Sequence, residues 1–281
     1  MENYTGRRRK KGRQVIWIAA ASVAAAVLLV VACDSRLVLR TYTVETEKLS
    51  GPVRLVVLTD LHSCRYGEDQ QDLLGLVAGL SPQPDAVLLA GDIVDDELPE
   101  ENAWTTIAGL AEAYPCFYVT GNHEWRGGEA ERICVAMEDY GVTVLRGETV
   151  DLAAASQTIR ICGIDDPDAG AEEQLAQVGS RVGEETFSVL LAHRPERIGD
   201  YLQYSFDLVV SGHAHGGQWR IPGLLNGLFA PNQGLFPQYA GGQYSFENAT
   251  LIVSRGLARE STRIPRIFNR PEVVVVDLAP E

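Results

Sequence analysis

The chain of 281 residues has only five histidines, no closely spaced cysteines and too few basic residues to balance its acidic ones. Its five cysteines are scattered without a C-x-x-C pair, so neither a zinc knuckle nor a disulfide framework is indicated. Its 24 Lys and Arg residues stand against 38 Asp and Glu residues, a formal net charge of −14. Because nucleic-acid binding draws most of its affinity from basic groups that neutralise phosphates, nucleic acid is not expected as a partner.

Six basic residues are concentrated before residue 14, directly ahead of an apolar run at 15–32. This run has 18 residues without a charge, Pro or Gly. As a helix it would be roughly 27 Å long, close to the roughly 30 Å hydrocarbon core of a bilayer. Basic residues ahead of such a segment favour a cytoplasmic N-terminus. We therefore expect a basic cytoplasmic head at 1–14, a transmembrane anchor or signal segment at 15–33, and the main domain at 34–281 outside the cytoplasm.

The fate of the apolar run has two open interpretations. It is longer than the apolar core of about 7–15 residues in a typical signal peptide, which favours an uncleaved, single-pass anchor. The tetrapeptide VVAC, which ends at Cys33, resembles instead a bacterial lipoprotein cleavage box, in which Cys33 would carry the lipid. Both interpretations make the membrane bilayer a partner.

Short, continuous apolar runs recur along the body of the chain and predict buried strands. They lie at 53–59, 85–91, 116–121, 187–192, 206–212 and 250–256. Continuous rather than alternating runs are typical of strands that are covered on both faces. Helical periodicity appears between them at 69–80, 101–114 and 129–140. The alternation predicts an α/β fold, and strand-like segments within 142–165 make mixed sheets the expectation.

Polar side chains follow five of these runs, where each predicted strand ends. They are Asp60 and His62, Asp92 and Asp95, Asn122 and His123, His193, and His213 and His215. All five histidines of the chain belong to this set. Because ligands of α/β proteins bind outside the carboxyl ends of the strands, we expect these side chains to lie close together.

The composition of this set points to a metal centre. Imidazole, carboxylate and amide groups without thiolate suit Mn²⁺, Fe²⁺/Fe³⁺ or Zn²⁺. The seven strongest candidate ligands exceed what one ion needs and favour two ions: Asp60, His62, Asp92, Asn122, His193, His213 and His215. A pair of such ions activates water and holds the oxygens of an in-line displacement at phosphorus. The sequence therefore predicts a dimetal phosphohydrolase, with a non-catalytic, metal-bearing envelope binding protein as the alternative.

The order of the motifs resembles the calcineurin-like metallophosphoesterases across about residues 53–217. D-x-H, G-D-x-x-D, G-N-H-E, a lone His and G-H-x-H follow one another here. The N-terminal run, GIDD at 163–166 and GHAHGGQ-x-R-x-P at 212–222 resemble the membrane-anchored bacterial branch of YkuE/YaeI-type phosphodiesterases. The resemblance implies two sheets packed as a sandwich flanked by helices. It also implies attack by a metal-bridging hydroxide on a phosphodiester or pyrophosphate bond, with a phosphomonoesterase of the same fold as the alternative.

The resemblance assigns roles position by position. Metal one would be held by Asp60, His62, Asp92 and His215, and metal two by Asp92, Asn122, His193 and His213. The spacing of His213 and His215 in an extended segment, about 6.5–7 Å, does not by itself choose between one ion and two. His123 would contact the substrate as a catalytic residue, and Asp95 would hold the ring of His123. Glu124 has no assigned role.

The substrate is less closely constrained. The loop Trp219–Phe236 carries apolar residues between glycines and prolines, which favours a lipid-linked substrate near a membrane; in the alternative it only packs over a sheet edge. Arg194 and Arg220 are candidates for contact with substrate phosphate. We also expect the glycines at 212, 216 and 217 to leave room for the substrate to approach the backbone.

Overall fold

Two six-stranded sheets form the centre of the protein in the computed structural model. The structure describes residues 2–154, 157–261 and 264–281, with side chains from residue 16 onward. The strands are β1 (Val38–Thr46), β2 (Val53–Leu58), β3 (Ala86–Ala90), β4 (Cys116–Val119), β5 (Thr143–Val144), β6 (Glu148–Ala154), β7 (Gln157–Gly163), β8 (Ser188–Leu191), β9 (Leu208–Ser211), β10 (Phe229–Ala230), β11 (Gly234–Leu235), β12 (Gly242–Ser245), β13 (Thr250–Val253) and β14 (Glu272–Pro280). The helices are α1 (Glu2–Ala32), α2 (Gln71–Ala78), α3 (Glu101–Ala113), α4 (Asn122–Arg126), α5 (Ala130–Asp139), α6 (Glu172–Gly179) and α7 (Ile198–Tyr201).

Both sheets are mixed, as predicted. The first has the order β1-β14-β2-β3-β4-β5; β2 to β5 are parallel, and β14 runs antiparallel to β2. The second has the order β12-β13-β9-β8-β7-β6, with a parallel centre and an antiparallel strand at each edge. β10 and β11 pair with each other separately. Each of the six predicted apolar runs forms a strand, and the predicted α/β class is confirmed.

Three apolar layers hold the two sheets and the helices together. The inner faces of the sheets bury residues such as Leu55, Leu88, Val189 and Val210 completely. A second layer lies between the first sheet and α2, α3 and α5, and a third lies between the second sheet and α6 and α7. Strands with core on both faces need apolar residues at successive positions, which is why their sequences are continuous apolar runs. The result is a sandwich flanked by helices.

The N-terminal helix α1 covers the segment for which an anchor was predicted. The side chains of residues 1–15, which include the start of that segment, lie outside the described residues. Within the described residues, the structure contains no helix with enough length and apolar character to cross a membrane. The transmembrane helix predicted at 15–33 is therefore not confirmed.

Candidate metal centre

The seven predicted ligands converge at one edge of the sandwich, because each follows the carboxyl end of a parallel strand. Asp60 and His62 follow β2, Asp92 follows β3, Asn122 follows β4, His193 follows β8, and His213 and His215 follow β9. The first sheet thus contributes four side chains and the second sheet three. All seven are buried, with 8% or less of their surface exposed. The site therefore lies at the seam between the two sheets.

The side chains form two compact groups. In one, ligand atoms of Asp60, His62 and His215 lie within 4.8 Å of one another; in the other, the same holds for Asp92, His193 and His213. His213 and His215 therefore belong to different groups, the division that the family resemblance implied. Asp92 Oδ2 lies 3.1 Å from His193 Nε2 and 3.7 Å from His62 Nε2, so this oxygen is placed between the two groups.

Buried atoms without hydrogen-bond partners mark the space between these side chains. They include His62 Nε2, Asp92 Oδ2, Asn122 Oδ1, His193 Nε2 and His215 Nδ1. A buried polar atom without a partner costs about 1–3 kcal/mol, and this cost falls on His62 Nε2, Asn122 Oδ1 and His215 Nδ1, since His193 Nε2 and Asp92 Oδ2 lie 3.1 Å apart as an ion pair. Divalent metal ions are the partners that would satisfy nitrogen and oxygen donors arranged in this way, so the residues present fit a dinuclear centre.

Hydrogen bonds orient three of the imidazole rings. His62 Nδ1 donates to Asp95 Oδ2 at 2.9 Å, and His193 Nδ1 donates to the carbonyl of Ala90 at 2.8 Å. Each bond leaves Nε2 of that ring to offer a lone pair. His213 instead binds Asn232 Oδ1 through Nε2 at 2.8 Å, which leaves Nδ1 for an ion. Such bonds fix the tautomer and the direction of a metal-binding histidine.

The protonation of the site is strongly perturbed. Burial lowers the pKa of His215 to about 3; burial, with the nearby charge of His193, lowers the pKa of His213 to about 4. Burial also disfavours charge on His193, but the Asp92 carboxylate outweighs burial and raises the pKa of His193 to about 10. For Asp92, burial raises the pKa, while His193 more than offsets this and holds it well below its usual range. The Asp92 carboxylate is therefore anionic, as cation binding requires.

The backbone at these ligands is held in an unusual conformation. Five of the seven have φ values between +46° and +65°: Asp60, His62, Asp92, His213 and His215. Non-glycine residues occupy this left-handed region rarely, and such strain of about 1–3 kcal/mol per residue is concentrated at functional sites. Here it turns successive side chains into one small volume at the strand ends.

Two motif glycines allow the ligand turns to approach each other. A Cβ at residue 212 would lie 2.5 Å from Asp60 Oδ2, and one at residue 121 would lie 2.2 Å from Asp92 Oδ1. At residues 216 and 217 a Cβ would meet Asn269 Oδ1 and the backbone of Gly227. The prediction that the glycines at 212, 216 and 217 leave room for substrate is wrong, because other parts of the protein occupy that room.

The turn after β3 is held by the carboxylate of Glu124, for which no role was predicted. Glu124 is 1% exposed. Its Oε1 accepts the backbone N–H groups of Ile93 and Val94, at 2.8 and 3.2 Å. Its Oε2 accepts those of Asp92 and Gly121, at 3.1 and 2.8 Å. One side chain thus ties together the two turns that carry Asp92 and Asn122.

Comparison with known proteins agrees with this arrangement. Residues 53–217 match the calcineurin-like phosphoesterase family, and these residues contain all seven converging ligands. The chain belongs to this family. It is 27% identical to phosphodiesterase YaeI of Escherichia coli over 82% of this chain and 83% of that protein. It is 30% identical to an uncharacterized metallophosphoesterase of Aquifex aeolicus over 84% of this chain and 90% of that protein. The protein is thus a metal-dependent phosphoesterase.

A solved structure supports the fold alone. TT1561 of Thermus thermophilus aligns with a TM-score of 0.50 at 13% sequence identity, over 73% of this chain and 90% of that one. The calcineurin-like phosphoesterase therefore shares its architecture with a protein of very different sequence.

The predicted catalytic pair of the phosphoesterase is arranged differently from the expectation. His123 is 23% exposed and its Nδ1 donates to Asp96 Oδ1 at 2.6 Å. Asp95 Oδ2 lies 4.0 Å from His123 Nδ1 and accepts its short bond from His62 instead. Asp95 therefore hydrogen-bonds the ring of His62 and Asp96 that of His123, whereas the predicted contact of Asp95 with His123 is an ion pair at 4.0 Å without a hydrogen bond. The motif contains adjacent aspartates, and the sequence does not say which of them faces which ring.

The cavity of the phosphoesterase that opens on the ligands has a volume of 240 Å³. His123, Arg126 and Asn232 line it together with four of the seven predicted ligands. Arg126 was not predicted from the sequence; its terminal nitrogen lies 3.5 Å from His123 Nε2. Arg194 also lines the cavity, but its guanidinium donates to Asp166 at 2.7 Å and to Asp168 at 3.0 Å. Its predicted contact with substrate phosphate stays a prediction.

Arg220 is not among the described residues that line this cavity. It bonds instead to the carbonyl of Gly216 and to Asn226, and it lines a separate cavity. Its predicted contact with substrate phosphate stays a prediction, and the structure places Arg220 at the separate cavity.

Proposed function

We propose that the protein is a phosphodiesterase that hydrolyses a phosphodiester or pyrophosphate bond with two divalent metal ions, Mn²⁺, Fe²⁺/Fe³⁺ or Zn²⁺. The observation that carries the proposal is the division of the ligands into two groups with Asp92 Oδ2 between them. Asp60, His62, Asp92 and His215 would hold one ion; Asp92, Asn122, His193 and His213 would hold the other. When bound, such ions activate water and neutralise the charge that develops on phosphate oxygens.

His123 is the residue to which we assign proton transfer. Its Nδ1 is occupied by Asp96, so the proton that it can give to a leaving oxygen is on Nε2. The backbone N–H of His123 donates to Asp92 Oδ1 at 2.8 Å, which links its position to the bridging carboxylate. Arg126, near His123 Nε2 at the same cavity, supplies a positive charge for a phosphate oxygen. These two side chains bind and protonate the substrate, whereas the buried ligands hold the ions.

A lipid-linked substrate is the chemical class that we favour. Pro231 and Asn232 from the loop Trp219–Phe236 line the cavity of the metal centre. The same loop exposes 67% each of Leu235 and Phe236. Apolar side chains exposed on a loop that also lines the cavity are suited to contact an acyl chain. Equal turnover of short-chain and long-chain lipid phosphodiesters would contradict this part of the proposal.

We further propose that residues 15–33 attach the protein to the bacterial cell membrane, with residues 34–281 outside the cytoplasm. One line of support is the basic head followed by the apolar run in the sequence. The other is that the large apolar side chains of α1 are exposed, from 56% for Val31 to 74% for Val30. Cell fractionation of the wild type and of Cys33→Ser tests this. Recovery of both in the membrane supports an uncleaved anchor, loss of only the variant supports a lipoprotein, and a wild type in the soluble fraction contradicts the proposal.

The catalytic proposal is tested on the full chain in mild detergent. We expect two metal ions per chain and faster hydrolysis of bis-p-nitrophenyl phosphate than of p-nitrophenyl phosphate. Asp92→Asn should abolish both metal retention and hydrolysis, whereas the matched variant Asp139→Asn, on the exposed end of α5, should behave as wild type. Preference for the monoester would replace the diesterase by a phosphomonoesterase. Two bound metals without hydrolysis of either substrate would favour the non-catalytic binding protein.

A further inference from the structure

A second cavity of 390 Å³ lies apart from the metal centre and shares none of its lining residues. Three arginines line it: Arg40 from β1, Arg220 from the segment after the GHAHGG motif, and Arg255 from the segment after β13. Its volume falls in the range of about 300–1,000 Å³ that is common for small-molecule sites. A cavity with three guanidinium groups is unusual in a chain whose net charge is −14.

The positive charge in this cavity is only partly balanced. Glu272 pairs with Arg255 through Nε, at 2.5 Å, and through one terminal nitrogen. Among the residues that the structure describes, no carboxylate forms an ion pair with Arg40 or Arg220. Burial and the charge of Arg255 both lower the pKa of Arg220, a sign that these cations crowd one another. An anion bound between them would relieve that repulsion.

The arginines also have hydrogen-bond donors to spare. A guanidinium has five N–H donors. Arg220 uses two nitrogens, one towards the carbonyl of Gly216 at 3.2 Å and one towards the side-chain oxygen of Asn226. Both acceptors are neutral, so they fix the direction of the guanidinium without neutralising it. Three guanidinium groups offer more N–H donors than the two oxygens of one carboxylate can accept. The oxygens of a phosphate point in tetrahedral directions, so they can accept hydrogen bonds from several arginines at once.

The rim of the cavity is apolar. Ile221 and Leu225 close a tight turn through reciprocal backbone bonds of 3.0 and 2.8 Å, and Leu224 at its tip is 82% exposed. Phe268 also lines the cavity, and its backbone N–H donates to the carbonyl of Ala32 at 2.7 Å. The wall of the cavity is therefore fastened to the last residue of α1, whose apolar side chains are exposed.

We propose that the cavity between Arg40, Arg220 and Arg255 is a phosphate-binding site separate from the metal centre. It takes a phosphate group, supplied by free phosphate or by the headgroup of an anionic lipid. The arginines bind the phosphate oxygens, and the apolar rim accommodates the carbon chain when the phosphate belongs to a lipid. The inference does not depend on the proposed catalytic function, because no residue of this cavity holds a metal ion or contacts the bond to be hydrolysed.

The test is a calorimetric titration of inorganic phosphate into the full chain in nonionic detergent, after a chelator has removed metal ions. Removal of the metal ions takes away the groups that would bind phosphate most strongly at the centre, and the cavity variants then assign the remaining binding to one site or the other. We expect one site in the wild type. Arg40→Gln and Arg220→Gln should each weaken phosphate binding about tenfold or more, since each removes charge-assisted hydrogen bonds. The matched control Arg181→Gln removes another exposed arginine, outside the cavity, and should bind as the wild type does.

Two further titrations distinguish the source of the phosphate. In these titrations, micelles doped with either phosphatidic acid or phosphatidylcholine are added as potential competitors of inorganic phosphate. If phosphatidic acid competes with inorganic phosphate, phosphatidylcholine does not, and the competition disappears in Arg40→Gln, the result supports a lipid headgroup. If inorganic phosphate binds in an arginine-dependent way and neither lipid competes with it, the result supports free phosphate. Absence of phosphate binding in the wild type, or equal affinity in both cavity variants, overturns the proposal. Because these titrations measure no turnover, a result that overturns the phosphate-binding site does not affect the catalytic proposal. A result that overturns the catalytic proposal likewise does not affect the phosphate-binding site.

Discussion

Replacement of Glu124 by glutamine should destabilise the protein although the side chain keeps its size. Each oxygen of the Glu124 carboxylate accepts two backbone N–H groups, four in all, in a fully buried position. A glutamine amide has one acceptor oxygen, and its nitrogen is a donor. Two of the four N–H groups would therefore face another donor, with no water to replace the lost acceptor.

The magnitude follows from the number of bonds. A buried donor left without its acceptor costs about 1–3 kcal/mol, so two such donors should lower the free energy of unfolding by about 2–6 kcal/mol. Domains are stable by only about 5–15 kcal/mol, so the change removes a large fraction of the total. Because the four N–H groups belong to the turns that carry Asp92 and Asn122, binding of the ion held by these two ligands should weaken as well, by about 10–100-fold.

Urea unfolding of the metal-free protein measures the first effect, and a competition titration with a fluorescent chelator measures the second. Glu138→Gln, on the exposed side of α5, is the matched control and should change stability by no more than about 0.5 kcal/mol. If Glu124→Gln unfolded within about 1 kcal/mol of the wild type and kept its metal affinity, the assigned role of this carboxylate would be refuted.

Three further predictions concern the metal centre. Asp95→Asn should weaken metal binding about 10–100-fold, measured by chelator competition, because Asp95 orients His62. Asp96→Asn should leave two metals bound but lower kcat about tenfold or more, because Asp96 orients His123; an equal loss of metal in both variants would contradict this division of roles. His193 is protonated in the metal-free site at neutral pH, since its pKa is raised to about 10, so a bound ion must displace that proton. Metal affinity should then rise by up to about tenfold per pH unit between pH 7 and 9, with proton release detectable by calorimetry in buffers of different ionisation enthalpy.

Sequence patterns were sufficient to predict the strands that carry the site. A strand covered on both faces must be apolar at successive positions, so β2, β3, β4, β8 and β9 are visible as continuous runs, and the polar residues after them are the converging ligands. β14, VVVV within Glu272–Pro280, has the same signature and was overlooked. β1 was missed for a physical reason: it is an edge strand with mostly half-exposed or exposed residues, so it lacks a continuous apolar run.

The detailed contacts around the ligands could not be obtained in the same way. Asp95 and Asp96 are adjacent in the chain, and only the conformation of their turn decides that one meets His62 and the other His123. Glu124 acts on backbone N–H groups that have no side-chain signature in the sequence. Arg220 lies five residues after His215, close to the motif in sequence, yet its guanidinium reaches a different cavity.

The position of the ligands at the seam has a consequence for the integrity of the chain. The polypeptide passes from the first sheet to the second between β5 and β6, at residues 145–147, and returns to the first sheet only with β14, which pairs with β1 and β2 across that crossing. Asp60, His62, Asp92 and Asn122 precede this crossing, whereas His193, His213 and His215 follow it, and each ligand group draws on both sides. Bound ions would thus act as cross-links between two halves of the molecule, each with an incomplete coordination sphere. A chain nicked at this crossing should hold together better with metal than without it, and the metal supply of the cell would then help to set how long a cleaved copy survives.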